Sequence, residues 1–503
     1  MNTPLRHVVF VLLGCFVILF AQTNRVQIFD AESLRDNPAN TRTILQEFDR
    51  PRSNIITSDQ VLVAFSDRAE SGTFGLQRRY PEGELYAHTV GYVSFTIGAE
   101  GVERSYNDEI IGRTLSQQLS DLTDLLDPNP ELGSVVLTLD HGVQSVAQAA
   151  LGEREGSVVA LDPRTGAVRA MWSYPSFDPN GLADIDSNVA NSAFQELKEA
   201  DGNPLRARAF RDIAFPGSTF KVVTAAAALE SGEATLTAPE FPANDSYTAP
   251  LTERPITNFG GRTCGGNLID LLVVSCNTPF AFLAAEVLGP EFMVNQAEAA
   301  GFNNEIPFDI PGGVASVFPT DYGDQIKAPS EELRAGLYQE TPILAQVAIG
   351  QNDVSATPLQ MALMIAGVAN GGTIPTPHVV DQITGPNGQT VQDINPGPWR
   401  QSMQEQTATD LRQALVEAAV NGSGNTAIVP GLEVGAKTGT AQLGTDPPRS
   451  HAWIVAFAGR PGEEPELAVA VLVEGNEGNS EQTGGRVAGP IAKAVIEKYF
   501  STS

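Results

Sequence analysis

Lysine is scarce in this chain of 503 residues: only Lys198, Lys221, Lys327, Lys437, Lys493 and Lys498 occur. With 31 basic against 60 acidic side chains, the net charge is −29, which argues against nucleic acid or an anionic membrane surface as the main partner. Five scattered histidines lack zinc-ligand spacing, so neither a metal nor a cofactor is expected. There is no repeat, no low-complexity tract and no G-x-S-x-G elbow, and the last absence disfavours a Ser-His-Asp hydrolase. Of three cysteines, Cys15 lies in an apolar run. Cys264 and Cys276 are either a disulfide in an oxidising exterior or two buried thiols.

What is present fits a globular chain of two or three domains, with 42% apolar and 18% charged residues. One long apolar run, Val8 to Ala21, follows a short N-terminal stretch containing Arg6. No small-x-small cleavage site follows it, so it reads as an uncleaved signal-anchor with Arg6 inside and the rest of the chain outside. From about residue 25 to 130 the pattern is of mixed short segments, closed by the acidic linker "LSDLTDLLDPNPELG". Beyond it the pattern becomes regular. A hairpin turns between Asp162 and Gly166, and helices follow at 215–230, around "NLIDLLVVS" and "TPFAFLAAEVLG", and near "TPLQMALMIAGVANGG". Three late strand candidates, "EVGAKTGTA", "HAWIVAFAG" and "ELAVAVLVE", precede a last helix, "GPIAKAVIEKYF". Helices between an early hairpin and sequential late strands predict an α+β fold on an antiparallel sheet.

The chemistry begins with "FPGSTFKVVTAAAALE", where Ser218 and Lys221 share one face of an apolar helix. A serine hydroxyl is a poor nucleophile until a base takes its proton. Lys221 can be that base only if burial or a second cation keeps it neutral. The start of a helix would also favour developing negative charge. A Ser-x-x-Lys string arises about once by chance in a chain this long. Two more strings change the weighing: "SCN", with Ser275 and Asn277, in a break between helices, and "KTGT", Lys437 to Thr440, on a strand candidate. Taken singly, Ser218, Ser275 and Asn277 read as helix caps and Lys437 as a solvated strand residue, with Gly439 a bulge. Together and in this order, the three strings are the established signature of penicillin-binding proteins and class A β-lactamases.

On these motifs, and on "GSVVALDPRTGAVRAMWSYPSFDPN" and "IGQNDVSATPLQMA", the chain resembles a class B penicillin-binding protein, closest to the short actinobacterial cell-division type. The resemblance implies a transpeptidase domain of the penicillin-binding, serine β-lactamase-like α+β fold, with an antiparallel sheet, flanking helices and a helical subdomain. The domains would be a cytoplasmic tail at 1–7, a transmembrane signal-anchor at 8–24, an N-terminal pedestal at 25–130 and the transpeptidase domain at 131–503. Ser218 would attack the D-Ala–D-Ala carbonyl of a peptidoglycan stem peptide and Lys221 would be its base. Ser275 would relay a proton to the leaving group, Lys437 would keep that region positive, and Asn277 would orient the substrate amide. Thr438 and Thr440, with Gly439 between them, would receive the terminal carboxylate, and backbone N–H groups of Ser218 and Thr440 would form the oxyanion hole. β-Lactams would trap Ser218. Implied partners are stem peptides, β-lactam antibiotics, the membrane and a glycosyltransferase or divisome protein.

Rival readings use the same fold. A class A β-lactamase needs a carboxylate for its deacylating water, and "EEPELA" at 463–468 follows the KTG string where that family places its Glu loop before it. A DD-carboxypeptidase differs only in using water as acceptor. A catalytically inert divisome scaffold would not need intact motifs.

Overall fold

All seven side chains of Leu467–Val473 are apolar and buried, and a strand with no solvent face must lie inside a sheet covered on both sides. The computed structural model has that arrangement. It describes residues 3–25, 48, 50–69, 74–112, 114, 132–446, 448–476 and 482–502, so residues 119–131 of the acidic linker lie outside the described residues.

A helix, α1 (Thr3–Asn24), carries the apolar run. Among the described residues no helix is long and apolar enough to cross a membrane, so the anchor read at 8–24 rests on the sequence alone. An N-terminal sheet follows. Its strands β1 (Asn54–Ile56), β2 (Leu62–Arg68) and β3 (Leu76–Arg79) are antiparallel, and β4 (Ser134–Leu137) runs parallel to β1. A hairpin from far along the chain, Val380–Thr384 and Thr390–Asp393, pairs with β4 and completes six strands. The sheet therefore crosses the boundary expected near residue 130. Beneath it Glu103, wholly buried, accepts from Arg78 Nε (2.6 Å), Arg52 Nη2 (2.8 Å) and Tyr80 OH (3.2 Å). Burial by itself would raise the Glu103 pKa, but the two guanidinium groups overcome it and hold it low.

The larger region starts with α2 (His141–Leu151), capped by Asp140 and stopped at Gly152. The expected hairpin is β5 (Gly156–Leu161) and β6 (Val168–Tyr174). Next come α3 (Lys221–Glu230), α4 (Leu268–Val274), α5 (Thr278–Phe282), α6 (Pro358–Ala369) and α7 (Glu405–Asn421). The chain closes with β7 (Glu433–Gln442), β8 (Ser450–Gly459), β9 (Leu467–Val473) and α8 (Gly484–Thr502). The strands form one antiparallel sheet in the order β7-β8-β9-β5-β6, so the early hairpin joins the late strands through β9. Every residue of α6 is buried, as a helix apolar all round must be, and it packs on β9, β8 and β5. Helices α2 and α8 pack together and against the same sheet. The last helix starts five residues earlier than the sequence pattern suggests, since Gly484 precedes the apolar run at 489. The "EEPELA" stretch is a turn entering β9.

Candidate active site

Strand β7 is an edge strand, and the Ser218 turn lies against it. Ser218 is not in the helix proper: residues Gly217–Thr219 form a 3-10 turn and α3 begins at Lys221. Pro216 and a positive φ of 55° at Gly217 make this turn tight. Gly217 N–H donates to Gly350 O at 2.9 Å, and a Cβ on Gly350 would lie 1.9 Å from Gly217 O. A Cβ on Gly217 would crowd the Thr440 backbone at 3.0 Å, and one on Gly439 would meet Pro216 O at 2.7 Å. Main chain thus touches main chain on both sides, which only glycine permits. Trp453 Nε1 donates to Phe215 O at 2.9 Å and fastens the turn to β8. Ser218 is half-buried here, whereas Lys221 is wholly buried.

Lys221 Nζ donates to Ser275 O (2.8 Å) and Asn277 Oδ1 (2.6 Å) and lies 3.4 Å from Ser275 Oγ. From the other side Lys437 Nζ donates to Ser275 Oγ (2.7 Å) and to Thr438 O (3.0 Å). One serine hydroxyl therefore sits between two buried amines. Ser275 closes α4 in the left-handed region at φ 58°, a conformation that costs a non-glycine residue about 1–2 kcal/mol. Burial pushes the Lys221 pKa well down, and the charge of Lys437 pushes it further. Burial brings Lys437 down to about 7.

A disulfide joins Cys264 to Cys276, the residue between Ser275 and Asn277. Alternation along β7 puts Lys437 and Gly439 on one face and Thr438 and Thr440 on the other. Thr440 is half-exposed; Thr438 is buried and shares a hydrogen bond with the Ser423 hydroxyl. No group of His, Cys, Asp and Glu among the described residues is arranged to hold a metal. All eight motif residues named from the sequence lie around this site. Sequence reasoning missed Asn258, whose buried amide bonds the backbone of Asn277 and Thr278, along with Ser423 and Gly350. Asn258 and Ser423 stand in turn-like strings, "ITNFGGR" and "NGSGN", that differ in nothing visible from an ordinary loop, whereas Gly350 lies in "IGQNDVSATPLQMA", a string that carried the resemblance without a role for this glycine.

A nucleophile in a turn, an amine whose pKa burial pushes well down, and a second amine on a relay hydroxyl suit acyl transfer through a serine ester. Comparison with known proteins agrees with that chemistry. Residues 156–497 match the model of the penicillin binding protein transpeptidase domain, and residues 52–136 match that of the penicillin binding protein A dimerisation domain. The chain is 36% identical to the peptidoglycan D,D-transpeptidase PbpA of Mycolicibacterium smegmatis, covering 99% of this chain and 98% of that one. The ceftriaxone acyl-enzyme complex of penicillin-binding protein A from Mycobacterium tuberculosis superposes with a TM-score of 0.78 at 33% identity, over 90% of this chain and 99% of that one. The penicillin G acyl-enzyme complex of the same protein gives 0.77 at 32% identity, over 90% and 100%.

Proposed function

The chain belongs to the penicillin-binding protein transpeptidase family, and from that premise we infer that it is a peptidoglycan D,D-transpeptidase working through an acyl-enzyme on Ser218. The observation that carries this reading is the Lys221–Ser275–Lys437 chain of hydrogen bonds, beside a turn that leaves Ser218 half-exposed. A neutral amine has two N–H groups and one lone pair. Ser275 O and Asn277 Oδ1 occupy the two N–H groups of Lys221, which leaves its lone pair for the Ser218 hydroxyl three residues back.

Ser218 Oγ attacks the carbonyl carbon between the two D-alanines as its proton passes to Lys221 Nζ. The oxyanion is received by backbone N–H groups of Ser218 and Thr440, on segments that Gly217 and Gly439 allow to touch. The carbon–nitrogen bond then breaks. The leaving amine takes the Ser275 proton, Ser275 is re-protonated from Lys221, and Lys437 stabilises the transient charge on Ser275 Oγ. An amine of a second stem peptide adds to the ester carbonyl and gives a proton to Lys221, and Ser218 leaves by taking it back. Half-exposed Thr440, with Thr438 behind it paired to Ser423, receives the terminal carboxylate. A β-lactam follows the same first step, but its leaving nitrogen stays tethered to the acyl group.

We further propose that α1 anchors the protein in the cell membrane with the catalytic domain outside, at sites of septal wall synthesis beside a glycosyltransferase partner. Supporting the anchor, Phe10, Phe16, Ile18 and Phe20 of α1 are all exposed, with nothing apolar among the described residues covering them. Alkaline extraction of cell membranes tests this, since release of the protein into the wash would sink the anchor.

The reaction is tested by intact mass of the full-length chain in detergent after exposure to penicillin G. A lasting adduct on the wild type that is absent from Ser218→Ala is the expected result. Drug destroyed without an adduct would make the protein a β-lactamase, and drug left intact would make it an inert scaffold. Synthetic stem pentapeptides then separate cross-linking from carboxypeptidase release.

A further inference from the structure

Asn277 stands at the N-cap position of α5, yet its side chain makes no cap hydrogen bond. An Asn at that position ordinarily turns back onto the free N–H groups of its own helix. Here the second helical residue is Pro279, which has no N–H to offer. Asn258 Oδ1, reaching in from another loop, accepts from Asn277 N at 2.8 Å and from Thr278 N at 3.0 Å. Its Nδ2 donates to Asn244 O at 2.8 Å and Arg262 O at 3.0 Å and lies 3.4 Å from Thr278 Oγ1. Both lone pairs and both N–H groups of the Asn258 amide are therefore used, and its orientation is fixed, since the oxygen accepts from two N–H groups, the nitrogen meets only oxygens, and the Cys276 sulfur 3.7 Å from the oxygen is in a disulfide with no proton to give. The side chain is buried, with 4% exposed.

Not engaged as a cap, the Asn277 side chain faces the catalytic amine. Its Nδ2 is held by Thr257 O at 2.8 Å, which leaves Oδ1 aimed at Lys221 Nζ, 2.6 Å away. The neighbouring Ser275 O is the second acceptor of the same amine. The Cys264–Cys276 disulfide ties the turn covalently, but it attaches at Cys276 and does not set the direction of Asn277.

We propose that Asn258 is a positioning residue for acyl transfer: by holding the N–H groups of Asn277 and Thr278 from outside α5, it fixes the turn from which Asn277 orients the Lys221 amine toward Ser218. This rests on the reading of Ser218 as nucleophile and Lys221 as its base. Small misplacements of a catalytic group lower rates by up to about a hundredfold. The experiment is the rate of acylation by penicillin G across a range of pH, for the full-length wild type, Ser218→Ala, Asn258→Ala and Asn258→Asp, each with its melting temperature.

Asn258→Ala leaves two helix N–H groups uncapped and is expected to acylate about ten- to a hundredfold more slowly at the pH optimum. Asn258→Asp keeps the acceptor but puts a carboxylate in the turn. That charge favours the protonated amine, so the acid limb of its profile is expected to move up by about one pH unit. A merely structural role would lower the melting temperature and leave the limb in place. Variants that match the wild type in rate and limb would overturn the proposal alone. So would an Asn258→Asp profile with an unmoved limb, whether Asn258→Ala is slow or fails to fold. A wild type never acylated would overturn the reading of Ser218 and this proposal with it.

Discussion

Two places in this molecule bury a pair of cations, and they do it for opposite ends. Under the N-terminal sheet, Arg52 and Arg78 close on Glu103, and the wholly buried carboxylate stays ionised between them. In the catalytic domain, Lys221 and Lys437 close on a serine hydroxyl, and no carboxylate contributes to the protonation of either. With a counterion, burial makes a fixed joint. Without one, it pushes protons off. Arginine suits the first use and lysine the second, because guanidinium holds its charge and a desolvated ammonium does not. In a chain with six lysines, two in this site mark where a proton is to move.

The largest expected effect falls on the lysine side. Lys221→Ala should lower the rate of penicillin acylation by about 10³ to 10⁴ with the fold retained, as followed by intact mass against time and by circular dichroism. If acylation persists near the wild-type rate, another group is the base.

Breaking the arginine joint should do the reverse. Glu103→Gln should cost about 3–5 kcal/mol of stability through two uncompensated buried charges, with little change in the acylation rate of the folded protein. The sign with pH follows from the lowered Glu103 pKa. Its contribution is full above the ordinary carboxylate value and is lost as pH falls through the folded one. Acid denaturation curves of wild type and variant should therefore converge at low pH; a constant gap would refute this account of the cluster.

Lys437→Met should sharpen the contrast from the other side, with acylation slowed about a hundredfold by loss of the contact to Ser275 Oγ. Removing the neighbouring charge raises the Lys221 pKa, so the acid limb of acylation should move to higher pH. Because folding lowers the pKa of both lysines, the unfolded chain binds more protons between about 7 and the ordinary lysine value, and stability rises with pH there. Melting temperatures of wild type and variant should draw together as pH rises through that window. A gap that widens would reverse the assignment of sign.

The smallest expected effect comes from the covalent pin. Replacing Cys264 and Cys276 together by Ser should cost about 2–3 kcal/mol for a loop of this length, read as a lower denaturant midpoint. Acylation should survive it, because the Asn258 amide still holds the turn. A variant that folds but no longer acylates would give the disulfide the positioning role.

Much of the catalytic site was legible because its signals are short. Ser218 and Lys221 lie within four residues, Ser275 and Asn277 within three and Lys437 to Thr440 within four, so each set stays together in space whatever the exact local conformation. The late sheet was legible for a similar reason, since buried strands of Val, Ala, Ile and Leu have few other places to go. The junction between domains was not. The 380–393 hairpin reads as an ordinary polar excursion, and nothing local tells it to pair with Ser134–Leu137. Ser218 sits in a 3-10 turn rather than in the helix because Gly217 and Gly350 lock backbone to backbone across more than a hundred residues. Asn258 and Ser423 are single polar residues in turns, and their partners come from distant segments.

By itself, then, the amino-acid sequence determined the reagents: a serine and a lysine one helical turn apart, a serine–asparagine turn, and a lysine on a strand. These follow from bond geometry and near-neighbour spacing, which hold in any compact fold. Tertiary structure alone decided that Lys221 and Lys437 meet on one hydroxyl in a site where no described residue supplies a counterion, and that Asn258 caps a helix it does not belong to. Both depend on which surfaces are withdrawn from water together, and burial of that kind belongs to the assembled chain rather than to any window of it.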